Sequence, residues 1–246
     1  MIIGTNVRHC QKVSSTNTVA AELLRDSNPP EGTVITASYQ ETGRGQPGNS
    51  WESEPGKNLL MSVILYPVMV RPADQFVISR MVSLAVFDLV ARQTPSARIK
   101  WPNDIYAGND KIAGILIENS IMGDILGSTV AGIGLNVNQT VFISGAPNPT
   151  SLKQITGTDH DLTAVTQELM STLDRRYDKV RKGGASLLEG EYHTALYRAG
   201  EWHQYSDDAG VFEGMIERVM PDGMLSVRRR NGVTRLYAFR EIDYIL

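Results

Sequence analysis

The chain is poor in the residues that make cross-links and metal centres. Cys10 is its only cysteine, which excludes an intramolecular disulfide and a thiolate metal cluster and fits a reducing cytoplasm. The four histidines, His9, His160, His193 and His203, are scattered without ligand spacing, so a protein-bound zinc site is not expected. No apolar run approaches the length of a membrane span, and Met1 to Asn6 lacks the basic region and long apolar stretch of a signal peptide. A soluble, cytoplasmic protein without a membrane partner is expected. Positive charge is also in short supply: the net charge is −3 with basic residues dispersed, leaving no electrostatic footprint for a nucleic-acid duplex. The one tight basic run, Arg228-Arg229-Arg230, precedes Asn231-Gly232 and reads as the solvated edge of a hairpin.

At 246 residues the chain can bury a sizeable core as one large domain, or as one domain with a small appendage. Small polar residues at Ser14 to Asn17 precede an apolar helical pattern and read as a capped helix start. Residues 33–39 and 58–66 read as strands, and Phe76, Ile78, Met81, Val82, Leu84, Ala85 and Leu89 as the buried stripe of a helix over about 72–93. Strands are expected at 98–101, 111–119 and 128–137. The turns Gly108-Asn109-Asp110 and Gly123-Asp124 make this stretch an antiparallel meander rather than βαβ repeats. Helices follow at 162–182 and 185–198, and near Gly200 the pattern changes to short strands with Asp207-Asp208, Pro221-Asp222-Gly223 and Asn231-Gly232 turns. The expectation is an α+β fold, a mixed and largely antiparallel sheet faced by helices over 1–199, with a small SH3-like β-barrel over 200–246.

Between the first two expected strands, Glu41-Thr42-Gly43-Arg44-Gly45-Gln46-Pro47-Gly48-Asn49-Ser50-Trp51 sets three glycines around one arginine. Glycine lets backbone N–H groups approach an anion, and the arginine brings a fixed charge to a phosphate or carboxylate. Ordinary flexible turns have this composition too. About fifty residues later come Lys100-Trp101-Pro102-Asn103-Asp104 and Lys111-Ile112-Ala113-Gly114-Ile115-Leu116-Ile117-Glu118, then Gly132-Ile133-Gly134-Leu135-Asn136. These four segments, in this order and spacing, closely resemble the catalytic domain of the biotin protein ligases, and the resemblance covers almost the whole chain.

The resemblance implies a class II synthetase-like biotin/lipoate ligase fold and a two-step reaction. Biotin is activated by ATP with Mg²⁺ to biotinyl-5′-AMP, then passed to one lysine of a biotin carboxyl carrier domain. It implies Lys111, Arg44 and Asp104 as catalytic residues, Asp104 orienting either Mg²⁺ or the acceptor lysine. No metal is expected to be fixed by the protein itself. Biotin would be bound by Ser15, Thr16, Asn17, Gln40, Gly43, Arg44, Lys111, Gly114 and Gly134, with the polar side chains on its ureido ring, since a buried ureido group needs partners for both its carbonyl and its N–H groups. A plain helix N-cap is the other reading of Ser15-Thr16-Asn17, and the two are compatible. ATP or the adenylate would be held by Arg44, Gly45, Gln46, Trp51, Lys100, Asn103, Lys111 and Asn136; Asn103 could instead only fix its turn, and Trp51 could be core. The loop departs from the family's GRGRxGRxW pattern, carrying Gln46, Pro47 and Asn49 where further basic residues are common. About fifteen residues precede Ser15-Thr16-Asn17, so a ligase without a DNA-binding repressor domain is expected, as monomer or homodimer. Lipoate ligases and octanoyltransferases of the same fold, and a non-catalytic ligand sensor, are the competing readings.

Overall fold

The computed structural model describes residues 1–144 and 147–245. In chain order its elements are β1 (Val7–Cys10), α1 (Thr16–Asp26), β2 (Val34–Ala37), β3 (Gly43–Arg44), β4 (Ser50–Trp51), β5 (Leu59–Leu65), a 3-10 turn (Pro72–Asp74) and α2 (Phe76–Ala91). Then come β6 (Ala97–Lys100), β7 (Asp104–Ala107), β8 (Asp110–Met122), β9 (Ile125–Leu135), α3 (Leu152–Thr156), α4 (Leu162–Arg181) and α5 (Ala185–Ala195). The last five are β10 (Trp202–Asp207), β11 (Gly210–Val219), β12 (Leu225–Arg229), β13 (Thr234–Tyr237) and β14 (Asp243–Tyr244).

Seven strands form one sheet in the order β1-β2-β5-β9-β8-β7-β6. Only β1 and β2 run parallel, so the sheet is mixed, and β6 to β9 make the expected antiparallel meander. Alternation divides the strands between two faces. Val34, Met61, Val63, Ala113, Ile115, Ala131 and Ile133 belong to the main core with α2, α4 and α5. On the opposite face Ile35, Ile64 and Val130 pack against Ala20 of α1. Central strand β5 is buried at every residue, because it is paired on both edges and covered on both faces.

The C-terminal strands form a second antiparallel sheet in the order β13-β12-β11-β10-β14, with no ladder joining β13 to β14 among the described residues. Its β11–β12 turn docks on the larger sheet. Trp101 Nε1 donates to Gly223 O at 2.9 Å, and the buried Arg80 donates to Val219 O and Met220 O at 2.9 and 2.8 Å. Phe239 packs edge-on against Trp101, with ring centroids 5.3 Å apart. The basic run closes the β12–β13 hairpin and is neutralised across strands: Arg228 faces Glu217, Arg229 meets Asp207, and Arg230 pairs with Glu213 while lying over Trp202. No helix among the described residues is long and apolar enough to cross a membrane.

Candidate active site

The site lies on the α1 face of the large sheet, where three glycines remove the side chains that would fill it. Register places Gly114 opposite Gly134 and Leu116 opposite Gly132, so all three glycines open onto one face. Each clearing is occupied. The Trp51 indole lies on the Gly114–Gly134 pair, where a Cβ on Gly114 would come within 3.0 Å of Trp51 Cζ3, and Asn17 lies on Gly132.

Lys111 reaches this face through an irregularity. Positions 111 and 114 are three apart, so in a regular strand their side chains would point to opposite sides. The β7–β8 register shifts between Ile105 and Tyr106, leaving one extra residue on β8, and this bulge turns Lys111 onto the Gly114 side. Its Cε then lies 3.5 Å from where a Gly114 Cβ would be, and its Nζ stands 5.9 Å from the Trp51 ring centroid. Asp104, paired with Gly114 in β7, meets it: Nζ and Oδ1 are 2.8 Å apart, close enough for an ion pair although not aligned as a directed hydrogen bond. The Lys111 backbone is held on both sides, its N–H donating to Asn148 O and its carbonyl accepting from Thr150 N.

Two cavities meet at Lys111, Asp104 and Trp51. The first has neutral hydrogen-bonding groups on its walls, with Arg44, Asp104 and Lys111 beside them. Gln40 Oε1 accepts from Thr16 N at 2.8 Å, Ser62 Oγ lies 2.7 Å from Thr16 Oγ1 and 2.6 Å from Asn17 Oδ1, and Asn17 Nδ2 donates to Glu118 at 2.7 Å. Ser15 occupies the N-cap position of α1 without making a capping bond; the distant Gln40 takes the Thr16 amide instead. The plain-cap reading of Ser15 therefore does not describe the structure. With Trp51 seated on the glycines, about 100 Å³ of this cavity stays open.

The second cavity, about 420 Å³, is lined by Lys100, Lys111, Tyr106, Asn136 and Phe142, with the carboxylates of Glu52 and Asp104 beside the two ammoniums. Burial lowers the pKa of the Lys100 ammonium, the attraction of Asp104 opposes that, and repulsion from Lys111 adds to it. The same ammonium sits 4.9 Å from the ring centroids of both Tyr106 and Tyr244 and donates to the Tyr106 hydroxyl. Burial raises the pKa of that hydroxyl, with Asp104 adding to the effect. Asn136 donates to Thr150 O, while its own Oδ1 is buried without a partner among the described residues. Trp51 Nε1 is likewise a buried donor without an acceptor. Unmet polar atoms on the walls are groups a ligand can satisfy.

The glycine-rich segment is a small ribbon. Strands β3 and β4 pair Gly43 with Trp51 and Arg44 with Ser50, and Gly45 N donates to Asn49 O. A Cβ on Gly43 would collide with the Trp51 carbonyl, so glycine is required for this pairing. Arg44 points across the first cavity to the Glu118 carboxylate. Arg240, from the connection between β13 and β14, brings its guanidinium within 3.8 Å of where a Gly48 Cβ would sit.

Of the expected site residues, Ser15, Thr16, Asn17, Gln40, Arg44, Gly45, Gln46, Trp51, Asn103, Asp104, Lys111, Gly114 and Gly134 line the first cavity. Lys100 and Asn136 line the second, and Gly43 stands behind Gln40. Asn103 also fixes its turn, donating to Ile115 O and accepting from Ile115 N. Sequence reasoning passed over Ser62, Gly132 and Glu118 as site residues. A lone serine inside the apolar run Leu59-Leu60-Met61-Ser62-Val63-Ile64-Leu65 is the one sequence signal for the first.

The two cavities that share Lys111 differ in lining: Ser15, Thr16, Asn17 and Gln40 offer neutral hydrogen-bonding groups in the first, and Lys100 joins Lys111 beside the carboxylates of Glu52 and Asp104 in the second, a division that suits two ligands of unlike character. The molecule is thus of the class that brings a small organic molecule and a charged co-substrate together at a lysine. The family model for the biotin/lipoate A/B protein ligases matches residues 9–138, and the chain belongs to that family. Biotin--[acetyl-CoA-carboxylase] ligase of Mycobacterium tuberculosis is 30% identical over 203 residues, 80% of this chain and 72% of that protein. Bifunctional ligase/repressor BirA of Bacillus subtilis is 28% identical over 249 residues, 96% of this chain and 74% of that protein. Among solved structures, a mutant of the biotin protein ligase from Aquifex aeolicus in complex with biotin superposes with a TM-score of 0.75 at 25% identity, covering 97% of both chains.

Proposed function

We propose that this protein is an ATP-dependent biotin protein ligase. The biotin carboxylate attacks the α-phosphorus of ATP, forming biotinyl-5′-AMP as pyrophosphate leaves. The amine of a carrier lysine then attacks the acyl carbonyl, forming the amide as AMP leaves. The observation that carries this reading is the meeting at Lys111 of a cavity walled by Ser15, Thr16, Asn17 and Gln40 and one that holds a second ammonium, Lys100; the carboxylate and the α-phosphate would touch at Lys111.

Ser15, Thr16, Asn17 and Gln40 would take the ureido ring, and Gly114 and Gly134 the space of the bicycle. The buried side chains of Thr16, Asn17 and Gln40, bonded to one another directly and through Ser62, favour this, because such a network can exchange internal partners for ligand ones without leaving a polar atom unpaired. Lys111 would neutralise charge as it develops on the carboxylate and phosphate oxygens. Arg44 would leave Glu118 and turn to the phosphate, both groups being partly exposed and the pair therefore weak. Lys100, Asn103 and Asn136 would line the nucleotide, with Trp51 at the junction. Mg²⁺ would arrive on the polyphosphate and offset its charge. Among the described residues no group of three or more His, Cys, Asp or Glu could hold a metal, and Asp104 is engaged by Lys111. The partner would be the biotin carboxyl carrier domain of a carboxylase, in keeping with the names of the relatives, and the setting cytoplasmic. Residues 1–199 would carry catalysis, with 200–246 as a smaller unit docked on them.

Intact-mass analysis of an unmodified carrier domain incubated with the protein, ATP and Mg²⁺ tests the reading, with biotin, lipoate and octanoate in separate tubes. A shift with biotin alone, lost in Lys111→Ala, is expected. A shift with lipoate or octanoate instead would reassign the substrate. Biotin bound without any transfer would point to a sensor.

A further inference from the structure

Glu52 lies outside the residues assigned above, yet it makes more long-range polar contacts than its neighbours in the loop. Its Oε1 accepts from Ile143 N at 2.9 Å and from Gln139 Nε2 at 3.3 Å, and its Oε2 accepts from Ser144 N at 2.7 Å. Gln139, 1% exposed, extends the contact. It donates to Val141 O at 2.9 Å and accepts from Glu54 N at 2.9 Å and from Asn58 Nδ2, while Asn58 Oδ1 accepts from Val137 N at 3.1 Å. The chain just after the glycine-rich ribbon is thereby knotted to the chain just after β9.

That knot holds a segment with little else to hold it. Residues 139–144 belong to no helix or strand, and Val141 and Ile143 are 67% and 89% exposed, so apolar burial does not anchor them. Phe142 between them lines the second cavity together with Lys100, Lys111 and Glu52 itself. Burial disfavours the charged Glu52 carboxylate, but its hydrogen bonds to Ser144 and Ile143 outweigh that and hold its pKa below the ordinary value. It is therefore an anion gripping two backbone amides, a strong form of hydrogen bond.

We propose that Glu52 is a positioning residue for the nucleotide side of the site, clamping the Phe142 wall to the end of the glycine-rich ribbon. The assignment rests on the ligase reading for the identity of the nucleotide, not for the clamp. Glu52 directly follows Trp51, whose indole sits at the junction of the two cavities. A ligand that moves Trp51 pulls on the Phe142 wall through one peptide unit and the Glu52 carboxylate.

The test compares wild-type protein, Glu52→Ala and Glu52→Gln in full-length form. Biotin-dependent ATP–pyrophosphate exchange gives the KM for ATP, calorimetry without nucleotide gives the Kd for biotin, and hydrogen exchange reports the Ile143 and Ser144 amides. Glu52→Ala should raise the KM for ATP about tenfold and leave the biotin Kd within about twofold. It should also speed exchange at both amides, with Glu52→Gln intermediate because one carbonyl oxygen remains to accept. An unchanged KM for ATP, or equal weakening of biotin and ATP together with a lowered Tm, would overturn the proposal. Wild-type protein without biotin-dependent exchange would instead defeat the ligase reading. The clamp would then stand or fall on direct ATP titration and on amide exchange, and wild-type-like exchange in Glu52→Ala would end it.

Discussion

Gly132→Ala tests whether the site face of the sheet is kept bare to seat Asn17. Gly132 has no positive φ, so its backbone accepts alanine and the penalty is purely steric. The new Cβ would overlap Asn17 Oδ1 and lie 2.8 Å from its Cγ, closer than real carbon atoms approach. Neither side can retreat: β9 is hydrogen-bonded on both edges to β5 and β8, and Asn17 is 2% exposed in the first turn of α1. Asn17 must swing away and lose its bonds to Glu118 and Ser62, at 2.7 and 2.6 Å. Overpacking costs roughly 1–3 kcal/mol and each lost hydrogen bond about 1 kcal/mol net. A loss of about 3–5 kcal/mol follows, lowering Tm by roughly 6–20 °C for a chain of this size. Biotin affinity should fall more than about tenfold, since a displaced Asn17 leaves the ureido ring short of a partner. Gly190→Ala is the matched control: Gly190 lies inside α5 with nothing within 4 Å of its new Cβ, so alanine should stabilise by about 0.5–1 kcal/mol. Scanning calorimetry and isothermal titration with biotin read both effects. Gly132→Ala with wild-type Tm and wild-type biotin affinity would refute the placement of Asn17 and the purpose assigned to the glycine.

Lys111→Ala should slow single-turnover adenylate formation by about 10²–10³-fold while biotin binding changes little, because the charge it supplies matters most in the transition state; a loss confined to the biotin Kd would argue against that role. Trp51 rests on the Gly114–Gly134 pair near the Lys111 ammonium, so biotin should change its emission, and the response should vanish in Trp51→Phe while Trp101 and Trp202 remain. A response that survives the substitution would mean that Trp51 is core. For Lys100 the sign follows from burial, which lowers its folded-state pKa below an unfolded value of about 10.4. Between those two values the unfolded chain binds more protons, so stability rises with pH through that interval. Lys100→Met should flatten that rise and raise Tm at neutral pH while weakening ATP binding; equal slopes in variant and wild type would contradict the burial argument.

Much of this molecule can be read from local pattern, and the parts that cannot share one physical cause. Helix α2 and strand β5 follow from continuous apolar stretches that need no knowledge of partners. Strands β8 and β9 run past their expected ends at 119 and 128, because Met122 and Ile125 pair through the backbone with their side chains in solvent. Strand β1 carries mainly exposed residues and exists because a distant parallel partner, β2, completes its ladder. The site divides in the same way. Its glycine-rich, Lys100–Asp104, Lys111–Glu118 and Gly132–Asn136 segments are visible as motifs, whereas Ser62 and Glu52 become site residues only through hydrogen bonds spanning 45 to 92 positions. Lys111 is the sharpest case. Alternation alone sends its side chain to the face away from Gly114, and only the bulge opposite Ile105 and Tyr106 reverses it. A one-residue irregularity in a neighbouring ladder thus decides whether the lysine meets Asp104 at the junction of two cavities or is lost in the opposite face, and periodicity within β8 carries no trace of it.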